Sequence, residues 1–213
     1  MKITNELDLG TGELEKIKIP MDRLSALTDG IFAIAMTILI LSIVAPDSHS
    51  IASLGQMNNY IRVLLPQLGT YVVSFIIIGV FWLNHHLFVY VEDSDLGFTW
   101  LNLLWLLFIC MLPFSADFLA SFGQFGVAEQ VFGINILLAE LMFVFMSRYA
   151  MRHDMIRGDV VELKSFVRRG FLAVIVITVV VVVLAFMGIS AGFYLYLIFP
   201  FLTSLPVFSV HHK

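Results

Sequence analysis

Ionisable and polar side chains stand inside the apolar runs of this sequence, where a charge or proton has large energetic consequences. Asp29 lies just inside the first apolar run, His85 and His86 lie near the end of the second, and Asn102 lies near the start of the third. An isolated carboxylate inside a bilayer costs about 2.5–3.5 kcal/mol on insertion scales, so it needs a partner or a water-filled cavity. The positions predict equal depth for the four side chains and hence one buried, hydrogen-bonded layer.

This layer has more than one interpretation. It can simply hold three helices in register, with the indole N–H groups of Trp82, Trp100 and Trp105 as donors. Alternatively, His85 or His86 can gate or sense protons, because imidazole changes charge near physiological pH. A metal site is poorly supported, since adjacent histidines diverge by about 100° on a helix and no H-E-x-x-H spacing occurs.

A second pattern follows the first apolar run. At about 100° per residue, Gly30, Ile34, Thr37 and Leu41 fall within about 40° of one direction, whereas Asp29 points about 100° away. The helix therefore carries a stripe and a separate polar contact. Small and apolar residues in such a stripe favour either close helix packing or the wall of a central axis.

Composition identifies the elements that must position these residues. Of 213 residues, 60% are hydrophobic and 13% charged, and the mean hydropathy is +0.95, whereas about a quarter of a soluble domain is charged. We predict one all-α, polytopic membrane domain over 1–213, with 1–22 as a polar N-terminal segment. The apolar runs predict six spans, at 24–45, 64–90, 98–120, 130–149, 168–187 and 190–209.

Charge distribution predicts the orientation. With six spans both termini share one side, and eleven of the 12 Lys and Arg residues lie there, Arg62 being the exception. The positive-inside rule makes that side the cytoplasm of a multi-pass protein in the cell membrane. A net charge of −4 without a basic cluster excludes nucleic acid as a partner.

Three further features have open interpretations. Glu140, near the middle of the fourth predicted span, is either a hydrogen-bonded packing contact or the wall of a polar cavity. Arg23 is either a headgroup anchor or a functional group. The acidic turn at 92–95 is either a solvated connection or a vestibule that concentrates cations.

The first predicted span resembles a known family. The string Arg23-x-x-x-Leu27-Thr28-Asp29-Gly30, followed by Ala33-Ile34 and Thr37, is similar to the R-x-x-x-F-S-D signature of the endolysosomal transmembrane potassium-leak channels and their bacterial relatives. Leucine replaces phenylalanine and threonine replaces serine. The strings Phe81-Trp82-Leu83-Asn84-His85-His86 and Asn102-Leu103-Leu104-Trp105 also look like the bacterial branch.

The resemblance implies a homotetramer in which the first span of each subunit lines a central K⁺ pathway. It implies that Ile34 forms the narrowest ring, that permeating K⁺ passes near Thr37, and that Leu41 forms the next apolar ring. No re-entrant filter loop is implied, and the sequence has no T-V-G-Y-G string. From the depth argument above we predict a structural polar network of seven residues: Arg23, Thr28, Asp29, His85, His86, Asn102 and Trp105.

The leading hypothesis is thus a passive, moderately K⁺-selective channel with no cofactor. The main alternative is a proton-coupled secondary transporter that uses Asp29, His85 and Glu140 as a relay and shows saturable flux. An intramembrane enzyme is disfavoured, because no Ser, His and Asp arrangement stands at comparable depth.

Overall fold

The computed structural model describes residues 19–47, 49–86, 91, 93–155 and 161–198. Within them the chain is mostly helical, and one pair of two-residue strands is present. In chain order the elements are β1 (Ile19–Pro20), α1 (Met21–Leu41), α2 (Leu54–His85), β2 (Asp93–Ser94), α3 (Leu96–Phe122), α4 (Gly126–Arg152), α5 (Val161–Phe186) and a 3-10 helix (Ser190–Ile198).

Four of these helices, α1 to α4, are long and apolar enough to cross a bilayer. The prediction of a helical membrane protein is therefore confirmed. In α5 the apolar portion among the described side chains is shorter, at Leu172–Phe186. The predicted sixth span begins as the 3-10 helix, and its residues 199–209 lie outside the described ones. A count of six spans thus stays a prediction.

Helix α2 begins at Leu54, whereas hydropathy placed its start at 64. A reciprocal cap fixes the earlier start: the Ser53 hydroxyl accepts the N–H of Gln56 at 3.3 Å, and the side-chain Oε1 of Gln56 accepts the N–H of Ala52 at 2.8 Å. Such a cap satisfies backbone donors that a helix start otherwise leaves open. The prediction was wrong because polar residues in the first turns hid the helix from a hydropathy search.

A short strand pair fastens the start of α1 to the α2–α3 connection. Ile19 pairs with Ser94 in antiparallel register, and the Ser94 hydroxyl donates to the Ile19 carbonyl at 2.8 Å. The next residue, Asp95, accepts the N–H of Phe98 at 2.7 Å and the hydroxyl of Tyr149 at 2.8 Å. Asp95 is therefore a helix cap and a tie to α4, and it is not merely a solvated turn residue.

Helix α3 is central, since it packs against α1, α2 and α4. Trp105 lies at the meeting point and is fully buried. Its ring centroid is 5.4 Å from that of Phe32 on α1, 6.4 Å from Phe81 on α2 and 5.5 Å from Phe143 on α4. One aromatic side chain thus contacts the other three helices and fixes the position of α1 against them.

Candidate ion pathway along the first helix

Helix α1 has two distinct faces. Its buried residues recur at helical spacing and pack on the rest of the subunit; they are Met21, Leu24, Thr28, Phe32, Ala35 and Leu39. Ile34 and Leu41 on the other face are 59% and 72% exposed, whereas Phe32 is 1% exposed. Gly30 and Thr37 are exposed as well. The residues of the predicted stripe therefore share the face of α1 that the subunit itself leaves uncovered.

The Thr37 hydroxyl is oriented by its own helix. It donates its proton to the backbone, with the carbonyl oxygens of Ala33 and Ile34 at 3.0 and 2.9 Å. A hydroxyl has one proton and two lone pairs, so this bonding leaves the oxygen available as an acceptor. From the helical rise, Thr37 lies about 4.5 Å along the axis from Ile34 and about 6 Å from Leu41. Along the exposed face, the Thr37 oxygen thus lies between the apolar side chains of Ile34 and Leu41.

An apolar groove adjoins this face, between α1 and α3. Its volume is about 550 Å³, and its lining includes Ile34, Ile38 and Leu41 from α1 and Cys110 and Phe114 from α3. The stripe is therefore continuous with a concave surface that the isolated subunit does not fill.

Two side-chain hydrogen bonds connect the polar layer to α1. The Asn102 amide donates to the Thr28 hydroxyl at 3.2 Å, and that hydroxyl donates to the carbonyl of Leu24 at 2.9 Å. The Trp82 indole N–H donates to the Asp29 carboxylate at 2.9 Å. Thr28 therefore ties α1 to α3, and Asp29 ties it to α2.

The two histidines point in different directions. His85 is buried, and its ring stacks on Trp105 with a centroid distance of 5.3 Å and an interplanar angle of 13°. It also lies close to the Asp29 charge and the Asn102 amide. His86 is exposed, with its Nδ1 3.0 Å from the carbonyl oxygen of Trp82. The part of the chain that the structure describes holds no group of three or more His, Cys, Asp or Glu residues suited to a metal.

Three residues that were predicted in or near the polar layer form none of its hydrogen bonds among the described residues; they are Trp105, Trp100 and Arg23. The Trp105 indole nitrogen has no hydrogen-bond partner among the described residues, so Trp105 contributes through ring packing. Trp100 is 60% exposed, and Arg23 is exposed at the start of α1. Between the described residues, no ion pair or hydrogen bond involves the Arg23 guanidinium.

Glu140 does not join this layer. It is fully buried on α4, and its carboxylate accepts a hydrogen bond of 2.7 Å from Thr178 on α5. The sequence predictions did not include Thr178 or Tyr196, both fully buried in this region. The available signal was the spacing of Glu129, Gly133 and Glu140, which places all three on one face of α4.

The four long apolar helices, with α1 held to α2 and α3 by polar contacts, place the chain in the class of helical membrane proteins. The family described as "Endosomal/lysosomal potassium channel TMEM175" matches residues 23–113, which cover nearly all of α1, α2 and much of α3. A Chryseobacterium protein named a potassium channel is 30% identical over 152 residues, 70% of this chain and 73% of the relative. The chain belongs to the TMEM175 family, and the family resemblance is confirmed.

Other relatives are also named as ion channels. A potassium channel of Streptomyces collinus is 39% identical over 110 residues, 51% of this chain and 52% of the relative. A Gallus gallus relative, named an endosomal/lysosomal proton channel, is 26% identical over 174 residues, 80% of this chain and 34% of the relative. The crystal structure of a lysosomal potassium-selective channel TMEM175 homolog from Chamaesiphon minutus superposes with a TM-score of 0.64 at 27% identity, covering 84% of this chain and 96% of that one. Because the family is one of ion channels, the protein is not an enzyme.

Proposed function

We propose that the protein is a homotetrameric channel for passive, moderately selective K⁺ conduction. The observation that carries this proposal is the uncovered stripe on α1, where Ile34, Thr37 and Leu41 lie on the face opposite the subunit core. Relatives named potassium channels supply the ion. Four copies of α1 around one axis would line a pore without any re-entrant loop.

Assembly accounts for the apolar surface beside the stripe. Leu27 and Ile38 are 45% and 46% exposed, and the groove between α1 and α3 continues this surface. In a membrane, helices associate through close packing rather than through burial from water. A neighbouring subunit would fill the groove on one side and leave the other side of α1 facing the axis.

Ile34 is the proposed constriction. A ring of four branched, apolar side chains is unfavourable for water and ions when it is narrow, and a small dilation allows wetting. Leu41 would form a second apolar ring at the end of α1. Conduction would therefore be limited by hydration of the Ile34 ring.

Thr37 is the proposed selectivity element. Four hydroxyl oxygens with free lone pairs would stabilise a partly hydrated cation between the two apolar rings. Their field is weaker than that of carbonyl rings, so it favours the ion that loses water more easily. This predicts a preference for K⁺ over Na⁺ that is moderate.

Membrane placement completes the proposal. Each subunit would have six spans with both termini on the cytoplasmic side of a bacterial cell membrane, as the distribution of Lys and Arg indicates. The polar ties at Thr28 and Asp29 would then lie near the cytoplasmic end of α1 and hold its angle to the axis.

We expect Thr37→Ala to reduce the K⁺/Na⁺ permeability ratio about threefold or more while current persists, because the substitution removes the acceptor oxygens but no apolar barrier. The measurement is the reversal potential with K⁺ on one side and Na⁺ on the other. Thr37→Ser, which keeps the hydroxyl, is the matched control and should retain the ratio. An unchanged reversal potential in Thr37→Ala would remove Thr37 from selectivity.

The transporter alternative receives less support from the contacts. Asp29 is bonded to Trp82 on α2, whereas Glu140 is bonded to Thr178 on α5. A relay through both acids would have to connect two separate helix pairs. It also predicts saturable flux driven by a proton gradient, which a single bilayer experiment separates from channel current.

A further inference from the structure

A second buried polar site lies between α4, α5 and the 3-10 helix, away from the stripe on α1. Glu140 is fully buried there, and its Oε1 accepts the hydrogen bond from the Thr178 hydroxyl at 2.7 Å. Its other carboxylate oxygen, Oε2, has no hydrogen-bond partner in the described part of the chain. An ionised carboxylate oxygen buried without a donor is costly, and the cost is much smaller for the neutral acid, which carries no charge.

The side chains around Glu140 share one face of α4. Glu129, Gly133 and Glu140 follow one another at spacings of four and seven residues, and Glu129 is 2% exposed in the first turn of α4. The Tyr196 hydroxyl reaches this face from the 3-10 helix, close enough to interact with both acids. A Cβ at position 133 would lie 2.7 Å from Cγ2 of Val182 and 3.2 Å from that hydroxyl, so the glycine leaves room for both side chains.

No charge in the described surroundings compensates a carboxylate at Glu140. The neighbours from α5 and the 3-10 helix are the Thr178 hydroxyl and the Tyr196 phenol, and the other ionisable group on the α4 face is Glu129. These groups offer hydrogen bonds or negative charge, and none is a cation. A buried charge without an opposite partner is far less favourable than the neutral acid.

We propose that Glu140 is a proton-binding site, with the proton on Oε2 at neutral pH and Oε1 as the carbonyl oxygen held by Thr178. The ligand is a proton, and the site is distinct from the ion pathway along α1. Its occupancy removes a charge from the interface of α4 and α5, so the bound proton keeps α5 and the 3-10 helix packed on α4. The proton site is therefore independent of the proposed K⁺ conduction.

Infrared spectroscopy of the full chain in lipid tests the site directly. At neutral pH we expect a carbonyl-stretch band of a protonated carboxylic acid, and Glu140→Gln should abolish it. Glu129→Gln is the matched control, because it replaces another buried acid of the same helix face and should leave the band in place. A band that survives Glu140→Gln, or that Glu129→Gln removes instead, would overturn the assignment.

Thr178→Val supplies a second readout that is more specific than loss of a band. Valine keeps the shape of threonine but cannot donate to Oε1, so the protonated band should remain and shift to higher frequency. An unshifted band would contradict the assignment of Oε1 as the bonded carbonyl oxygen. Because the readout is independent of current, absence of K⁺ conduction would count against the channel proposal while leaving the proton site standing.

Discussion

Ile34→Asn is expected to increase K⁺ leak about tenfold to a hundredfold. Exposing an isoleucine side chain to water costs about 1.5–3 kcal/mol, and every 1.36 kcal/mol removed from a barrier is a factor of ten in rate. Asparagine hydrogen-bonds water, so the ring would stay wet without dilation. The measurement is K⁺ efflux from K⁺-loaded vesicles that are reconstituted with equal amounts of each protein.

The matched control for this prediction is Ile40→Asn. Ile40 lies on the same helix and is 44% exposed, but helical angle places it about 120° around the helix from Ile34. It should change efflux less than twofold. Equal increases in the two variants would mean that added polarity loosens α1 in general, and would contradict a specific constriction at Ile34.

Trp105→Ala should lower the free energy of unfolding by about 3–5 kcal/mol. The indole contacts aromatic rings on α1, α2 and α4, so its removal takes packing contacts from three helices at once. In a membrane this loss is mainly one of packing contacts, since water does not drive the helices together. Equilibrium unfolding in mixed micelles measures the difference.

Trp100→Ala serves as the control, because it removes the same side chain from the same helix. Trp100 is 60% exposed, so its loss should cost less than about 1 kcal/mol. Similar losses at both positions would show that α3 is generally fragile, and Trp105 would then have no special role as the joint of four helices.

Helical angle and depth predicted from the sequence which side chains share a face or a level. Angle alone grouped Ile34, Thr37 and Leu41, and the structure leaves that group on the uncovered face of α1. Equal depth in the membrane predicted one buried layer of Asp29, His85, His86 and Asn102. His85 and Asn102 are buried, whereas Asp29 and His86 are exposed in the single subunit, because depth does not fix the direction in which a side chain points. A pore at the stripe stays a prediction, since a single subunit has no axis.

The partners within the polar layer were harder to predict. Rotation of each helix about its own axis decides that Asp29 bonds Trp82, and that rotation depends on long-range packing. The same rotation places the Trp105 ring among Phe32, Phe81 and Phe143. Three indole donors were expected near the layer, and one of them forms the bond to α1.

Three further features were not predicted from the sequence. The first turns of α2 are polar, so only the cap formed by Ser53 and Gln56 marks the true start of the helix. Asp95 resembled a solvated turn residue because its second partner, Tyr149, is 54 residues away in the chain. Thr178 was missed beside Glu140 for the same reason, since it is 38 residues away in the chain.

Current across a planar bilayer containing the purified protein tests the central claim most directly. With a KCl gradient, and then with KCl opposed to NaCl, we predict unitary, non-saturating currents that reverse toward the K⁺ equilibrium potential. Such currents are the expected behaviour of a passive pore lined by α1. Absence of current together with saturable, proton-driven uptake into vesicles would contradict the account and identify a transporter instead.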